Sequence, residues 1–241
     1  MKTDAHRTAI TRGELSRPTR LALQTDVLRN GETFFDYGCG RGEDVVGLKK
    51  MGFAASGWDP NHWPNETKTD ADVVNIGYVV NVIADLGERR EALLSAWRCT
   101  KRVLVVSGRL ANEARSLTKG RPYGDGFITG HNTFQKFFSQ GELREWIDAT
   151  LGEECIAAAP GIFLIFRNES DANEFLIRNR RRRSITITIS RADRIYDEHK
   201  QLLDELIDFF TSRGRLPRKD EEIHLQRQLS EHIGGLKRSW N

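Results

Sequence analysis

At 241 residues, 38% hydrophobic and 29% charged, the chain has the composition of a folded globular protein with room for one substantial domain and a smaller appendage, not of a disordered or fibrous polypeptide. Its formal net charge of +3 is too small to argue for a polyanionic partner by itself. Cys39, Cys99 and Cys155 are irregularly spaced without a CxxC pair, which argues against a disulfide framework or zinc knuckle and for a reducing compartment, with no metal expected.

The N-terminus, MKTDAHRTAITRGE, lacks the apolar core of a signal peptide. The longest mostly apolar stretches, Val73–Ala84 and Cys155–Phe166, are too short to span a bilayer. A cytoplasmic protein without membrane contact is the expectation.

Arg17-Pro18-Thr19 opens a short helix expected to reach about Leu28, since proline suits a first helical turn. Thr33-Phe34-Phe35 reads as a buried strand running into Asp36 and a glycine cluster. Val45, Val46, Leu48 and Met51 fall at helical spacing between Gly42 and Gly52. A second strand, Phe53 to Trp58, ends at Asp59-Pro60, and a polar connection (Asn61–Thr69) leads to a third apolar strand over Asp72–Tyr78. Glu88–Thr100 is helical, with Ala92, Leu93, Ala96 and Trp97 on one face, and Arg102–Ser107 is again a strand.

This alternation predicts an α/β fold with a mostly parallel sheet and right-handed crossovers. Residues 108–138 carry glycines and aromatics without a clean period, and so long a segment is more often functional than connective. Ser139 with Glu142 forms a capping box for a helix to about Leu151. Ile156–Ala159 and Gly161–Arg167 read as a terminal hairpin, and Asp171–Arg183, Ala192–Ser212 and Lys219 to about Leu236 as helices. The expected organisation is an N-terminal segment over 1–30, the α/β domain over 31–168 and a small helical extension over 169–241, with Arg178–Arg183 as the hinge.

Asp36-Tyr37-Gly38-Cys39-Gly40-Arg41-Gly42 lies between a strand and a helix. Glycines there let the backbone bend sharply and approach a ligand that a Cβ would push away. A dinucleotide fingerprint reads G-x-G-x-x-G and receives a pyrophosphate. Here the spacing is G-x-G-x-G with an acid two residues ahead, and a carboxylate would repel pyrophosphate but attract the ammonium of a methionine moiety. Asp59, at the next strand end, can hydrogen-bond both ribose hydroxyls. Two acids at two strand ends fit a cationic, ribose-bearing ligand, S-adenosylmethionine. The competing reading is a glycine turn of another nucleotide-binding protein with Asp36 as a helix cap.

The D-x-G-C-G-x-G turn resembles the first motif of class I (Rossmann-like) methyltransferases. The stretches 6–10, 35–44, 57–60, 74–83 and 131–136 further resemble the DNA phosphorothioation-associated methyltransferases, over about residues 6–180. That resemblance implies the class I fold, S-adenosylmethionine as cofactor, a bacterial DNA-modification or defence setting, and partners among nucleic acid and DNA-modification proteins. The helical C-terminal part is shorter than the resemblance implies, as a truncated chain's would be. The cofactor set it carries over is Asp36, Tyr37, Gly38, Cys39, Gly40, Gly42, Asp59, Pro60, Asn75 and Gly77. One departure is plain: only Asn61–Thr69 stands where the general pattern has a further strand with an adenine-contacting acid, a role for which Asp70 or Asp72 is the candidate.

For the acceptor side, Asn75-Ile76-Gly77-Tyr78 occupies the place of the N-P-P-Y segment of amino-group DNA methyltransferases, in which the amide holds the target amine and the ring stacks on an extruded base. Both prolines are missing, so Asn75 could equally contact the cofactor's methionine end while Tyr78 packs under a helix. His131, on the long segment, is the candidate general base, or else structural. Tyr123, Phe127, Phe134 and Phe137 could stack on a base or fasten that segment to the core. No cysteine sits where a cytosine C5 nucleophile is needed. Arg98, Lys101, Arg102, Arg109, Arg115, Lys119 and Arg121, against Glu113 alone, are expected to form a basic patch beside the cofactor mouth.

Three functions are consistent with these features: a methyltransferase acting on nucleic acid, a non-catalytic cofactor-binding or DNA-binding regulatory module, and, disfavoured by the glycine spacing, an NAD-dependent oxidoreductase.

Overall fold

The computed structural model of the chain describes residues 13–116, 120–185 and 199–213. The chain divides into two compact units, Met1–Arg180 and Arg181–Asn241. In the second unit the described parts are the end of a helix running Glu169–Ile185 (α5) and a helix over Lys200–Arg213 (α6). The expected helix over Lys219–Leu236, the start of that over Ala192–Ser212, and residues 6–10 lie outside the described residues. No described helix is long and apolar enough to cross a membrane.

The first unit is built on a six-stranded sheet of β1 (Thr33–Tyr37), β2 (Ala54–Trp58), β3 (Ala71–Gly77), β4 (Thr100–Ser107), β8 (Ile156–Ala159) and β9 (Ile162–Phe166). The spatial order is β2-β1-β3-β4-β9-β8. β2, β1, β3 and β4 run parallel, and β9 and β8 close the far edge as an antiparallel hairpin. This is the Rossmann-like arrangement of class I methyltransferases, lacking one strand outside β2. The reason is length: residues 61–70 are too few for a crossover helix and strand, so β2 is left as the edge.

Both sheet faces are covered, which is why β1, β3, β4 and β9 read as nearly unbroken apolar runs. One face packs Phe35, Ile76, Leu104 and Phe163 against α3 (Leu86–Arg98) and α4 (Gln140–Leu151). The other packs Phe34, Val73, Val103 and Leu164 with Ala22 of α1 (Arg17–Gln24), Val45 and Leu48 of α2 (Glu43–Lys50) and Phe175 of α5. Phe34 and Phe35 are almost fully buried on opposite faces, each contributing about 2–3 kcal/mol.

Caps set the helix ends. Asp85 Oδ1 accepts the Glu88 N–H at the start of α3, and Ser139 and Glu142 close the expected capping box on α4. Helix α1 stops at Gln24, short of Leu28, because Asp26 turns left-handed (φ 55°) and the Leu28 N–H folds back to the Ala22 carbonyl. The 108–138 segment contains regular structure that its sequence hides. A 3₁₀ turn (Ala111–Ser116) is followed by a small antiparallel sheet of β5 (Gly120–Tyr123), β6 (Gly126–Thr129) and β7 (Phe134–Gln135).

Candidate functional site

The tips of β1 and β3 are neighbours with Asp36 beside Asn75 in register, while β2 lies on the other side of β1. In open α/β sheets the crevice beyond such strand tips is where ligands bind. Here it is a cleft of about 900 Å³ whose wall includes Asp36–Arg41, Trp58–His62, Asn75, Gly77 to Val79, Asn81, Arg109 and Gln135. The start of α1 forms part of the rim: the Ser16 N–H and the Thr19 hydroxyl each donate to the buried Asp44 carboxylate of α2, at 2.6 and 2.8 Å. Helix α1 is thereby fastened over the glycine turn.

At the floor, Asn75 (1% exposed) donates from Nδ2 to Asp36 Oδ1 at 2.8 Å. A carboxylate only accepts, so this bond fixes which way the amide faces. The remaining Asn75 Oδ1 is buried and accepts no hydrogen bond among the described residues. Buried acceptors left in that state are rare and ask for a donor. An acceptor beside a carboxylate is a site for a positively charged N–H donor, the character of an amino-acid ammonium.

Above this floor the glycine turn bends through Gly38, Gly40 and Gly42, all with positive φ. A Cβ on Gly38 would lie 2.5 Å from Val79 Cγ2. Gly42 has a different role: a Cβ there would meet the Trp63 ring at 2.2 Å. Trp63, carried by the short connection after β2, therefore packs on the third glycine, and Gly42 is absent from the cleft wall. Cys39 stays a thiol, because burial and then the Asp36 and Asp59 carboxylates push its pKa well above the ordinary value.

Asp59 does more than a ribose ligand would. Its Oδ1 accepts the Asn61 and His62 backbone N–H groups at 2.9 Å each and lies 3.2 Å from His62 Nδ1, while Oδ2 accepts the Gly40 N–H at 3.1 Å. The carboxylate ties the glycine turn to the loop after β2 and keeps a lone pair on Oδ2 for one further donor. Beside it, Tyr37 and Trp58 pack together, ring centroids 5.3 Å apart, with Lys68 Nζ over both rings and donating to the Tyr37 hydroxyl. Pro60 joins them on the wall.

Asp70 and Asp72 are not near this cleft. Asp72 accepts from the backbone N–H and hydroxyl of Thr33, bonds that hold its carboxyl below the usual carboxylate range, and Thr33 starts the strand whose far tip carries Asp36. Asp70 immediately precedes β3, at the same end.

Tyr78 has φ +60°, which costs a non-glycine residue about 1 kcal/mol or more and marks functional sites when held by its surroundings. Here its N–H donates to the Ser107 carbonyl and hydroxyl, directing the residue onto the cleft wall beside Gly77. His131 sits in the exposed turn between β6 and β7, its N–H donating to Thr129 Oγ1, and is not among the residues lining the cleft.

Gln135 of β7 does reach the cleft. The small sheet is anchored by Arg89 of α3, whose side chain is 2% exposed. Its guanidinium grips Asp125 with two bonds (2.6 and 3.0 Å) and the Ile83 carbonyl with two more, under the face of Phe134. Lys136 bridges Asp125 and Glu142 at 3.0 and 2.6 Å, and its N–H donates to the Asn81 carbonyl. Partial burial pushes the Asp125 carboxyl up, but the bonds and charges of Arg89 and Lys136 outweigh it and bring it down to about 2.

The expected basic patch is divided. Arg109 lines the cleft and pairs with Glu113 at 3.5 Å. Lys101 and Arg102 lie at the start of β4, about 20 Å of strand away from its tip, and Arg98 ends the helix before it. Arg98 pairs with Glu91 and Arg102 with Glu32. The side chains of Arg115, Lys119 and Arg180–Arg183 lie outside the described residues. The cations on the rim come instead from Arg17, Arg20 and Arg41, of which Arg20 pairs with Glu14.

No family model and no curated protein matches the chain. Among solved structures it is similar to an S-adenosylmethionine-bound amino pentose methyltransferase from Micromonospora echinaspora, at 15% identity over 65% of this chain and 93% of that one, TM-score 0.46. It is also similar to a sugar N-methyltransferase from Streptoalloteichus, at 13% identity over 65% and 89%, TM-score 0.48. A third is the magnesium protoporphyrin IX methyltransferase from Synechocystis with bound S-adenosylhomocysteine, at 13% identity over 68% and 94%, TM-score 0.44.

Proposed function

We propose that the chain is an S-adenosylmethionine-dependent methyltransferase whose acceptor is nucleic acid, with DNA in a modification or defence setting as the substrate that the sequence resemblance implies. The observation that carries the cofactor reading is the Asp36–Asn75 pair: a buried amide, oriented by a carboxylate, with its Oδ1 left without a donor at the floor of the cleft. The cofactor's ammonium supplies the missing donor and a charge that Asp36 neutralises. Gly38 and Gly40 let its methionine portion lie against the backbone, and Asp59 Oδ2 offers one acceptor to a ribose hydroxyl. Tyr37, Trp58 and Pro60 provide the flat apolar surface for the base.

Bound S-adenosylmethionine supplies a methyl group made electrophilic by its sulfonium. The protein's part is to align the acceptor behind that methyl and keep water out. Asp36, Asn75 and Asp59 would hold the cofactor, and the proton released by the acceptor would leave to bulk solvent at the mouth of the cleft. Cys39, held as a thiol, takes no nucleophilic part. Tyr78 supplies an aromatic side chain at the strand tip, and Arg17, Arg20, Arg41 and Arg109 ring the opening with cations suited to phosphates.

Calorimetric titration with S-adenosylmethionine, S-adenosylhomocysteine and NAD tests the cofactor: micromolar binding of the first two and none of NAD is expected, and NAD binding alone would overturn the reading. Incubation with radiolabelled cofactor and plain DNA, phosphorothioated DNA, tRNA or small acceptors tests the substrate. Cofactor binding with label transfer to none of them would leave a regulatory module as the better account.

A further inference from the structure

Asn81 and Gln135 come from elements 54 residues apart and meet as a buried amide pair on the cleft wall, Asn81 Nδ2 to Gln135 Oε1 at 3.1 Å. Asn81 is 1% exposed and Gln135 9%. Asn81 Oδ1 accepts nothing among the described residues, and Gln135 Nε2 has no hydrogen bond among them either. Because each amide uses one end on the other, the pair keeps one acceptor and one donor whichever way round the two are placed. A side-chain pair serving only to hold β7 would not need this, since the Lys136 N–H to Asn81 carbonyl bond already does so. An unmatched buried acceptor is costly, so its persistence on a ligand-sized cleft points to a ligand that completes it.

We propose that Asn81 and Gln135 form the recognition subsite for the methyl acceptor, and that it takes a planar nitrogenous edge with an N–H donor beside an acceptor, as on the amino edge of adenine or cytosine. This rests on the methyltransferase reading and narrows it to the acceptor. The pair reads hydrogen-bonding pattern, Tyr78 at the neighbouring strand tip offers an aromatic surface, and the rim arginines face whatever phosphate the base carries. A carboxylate fails the subsite because it has no proton to donate and repels Asn81 Oδ1, and a tertiary amine fails by lacking the proton.

The test uses the full chain saturated with S-adenosylhomocysteine, so that adenine is barred from the cofactor's own place, and calorimetry in the same samples reports cofactor affinity separately. Adenosine and cytidine are titrated beside their N,N-dimethyl derivatives. Wild-type protein is expected to bind at least one parent nucleoside tenfold or more tightly than its dimethyl form. Asn81→Leu is expected to abolish that preference, and Gln135→Glu, which keeps the shape and the bond from Asn81, to weaken the parent at least fivefold. Equal binding of parent and dimethyl forms by wild type, or no nucleoside binding while S-adenosylhomocysteine still binds, would overturn the subsite and leave the cofactor reading standing. Loss of S-adenosylhomocysteine binding by the wild type would instead defeat the reading beneath it. If Asn81→Leu does not fold, Gln135→Glu decides alone: an unchanged preference there also overturns the proposal.

Discussion

The glycine-turn wall of the cleft, Asp36 to Arg41 with Asp59, takes its shape from backbone, whereas the small sheet from Gly120 to Gln135, which reaches the cleft through Gln135, is held by side chains from elsewhere. On the wall the decisive groups are N–H donors and missing Cβ atoms within the 27 residues from Asp36 to His62, and Asp59 gathers them through Gly40, Asn61 and His62. In the small sheet, three short strands with little core of their own are fixed by Arg89, 36 residues from Asp125, and by Lys136 between Asp125 and Glu142. A wall made of backbone tolerates almost no change in itself but depends on little outside it. A sheet hung on one buried guanidinium can be loosened from a distance, and it carries Gln135, one half of the proposed acceptor subsite.

The largest effect expected from breaking this contrast is on stability. Arg89→Met leaves Asp125 without its bidentate partner and should cost about 3 kcal/mol, at the low end for a broken buried pair because Asp125 is partly exposed. Urea unfolding measures it, and S-adenosylhomocysteine affinity should stay within twofold. A large loss of cofactor affinity at unchanged stability would show that the wall and the sheet are not independent. Acid sharpens the same point. The Asp125 carboxyl is depressed to about 2 from an ordinary 3.8, so its contribution is complete above the unfolded value and is lost as pH falls from about 4 to 2. Wild-type stability should drop through that window, and Arg89→Met should flatten the drop.

On the glycine-turn wall, Asp36→Asn removes both the charge and the acceptor that orients Asn75. Cofactor affinity is expected to fall about 100-fold, in line with about 2–3 kcal/mol for a charge-assisted contact in a dry site, with little change in urea midpoint. Gly38→Val forces a Cβ against Val79 at a left-handed φ and should weaken S-adenosylhomocysteine at least tenfold, about 1.4 kcal/mol. Unchanged affinity in both variants would place the cofactor elsewhere. The smallest effect concerns the rim. Arg41→Glu should lower oligonucleotide affinity a few-fold and reduce its salt dependence, while Lys101→Glu, at the far end of β4, should leave both unchanged. Equal effects would mean that nucleic acid does not approach the cleft through this opening.

The sheet was readable because its strands are covered on both sides, and such strands are nearly unbroken apolar runs: the expected strands at Thr33–Phe35, Asp72–Tyr78 and Arg102–Ser107 overlap the observed β1, β3 and β4. Ser139 and Glu142 marked a helix start through purely local bonding. β5, β6 and β7 were not readable, since two to four residues give no period and their stability comes from Arg89. Nor could spacing reveal that Trp63 would occupy the face of Gly42, or that Asp72 would bind Thr33 at the wrong end of the sheet for an adenine contact. His131 suggested a base by its residue type and loop position, yet the β6–β7 turn directs it to solvent. Asn81 and Gln135 carried no signal, because neither residue is unusual until the other is beside it.

What the amino-acid order determined alone is whatever depends on neighbours along the chain: the alternation of strands and helices, the caps, and a glycine turn preceded by Asp36 that no bulkier sequence could form. What folding decided is whatever depends on residues far apart: which strand tips become neighbours, which amide loses its hydrogen-bond partner, and which arginines reach the opening. The division follows from physics, because backbone conformation is set within a few residues, whereas burial and the pairing of polar groups are properties of the assembled interior.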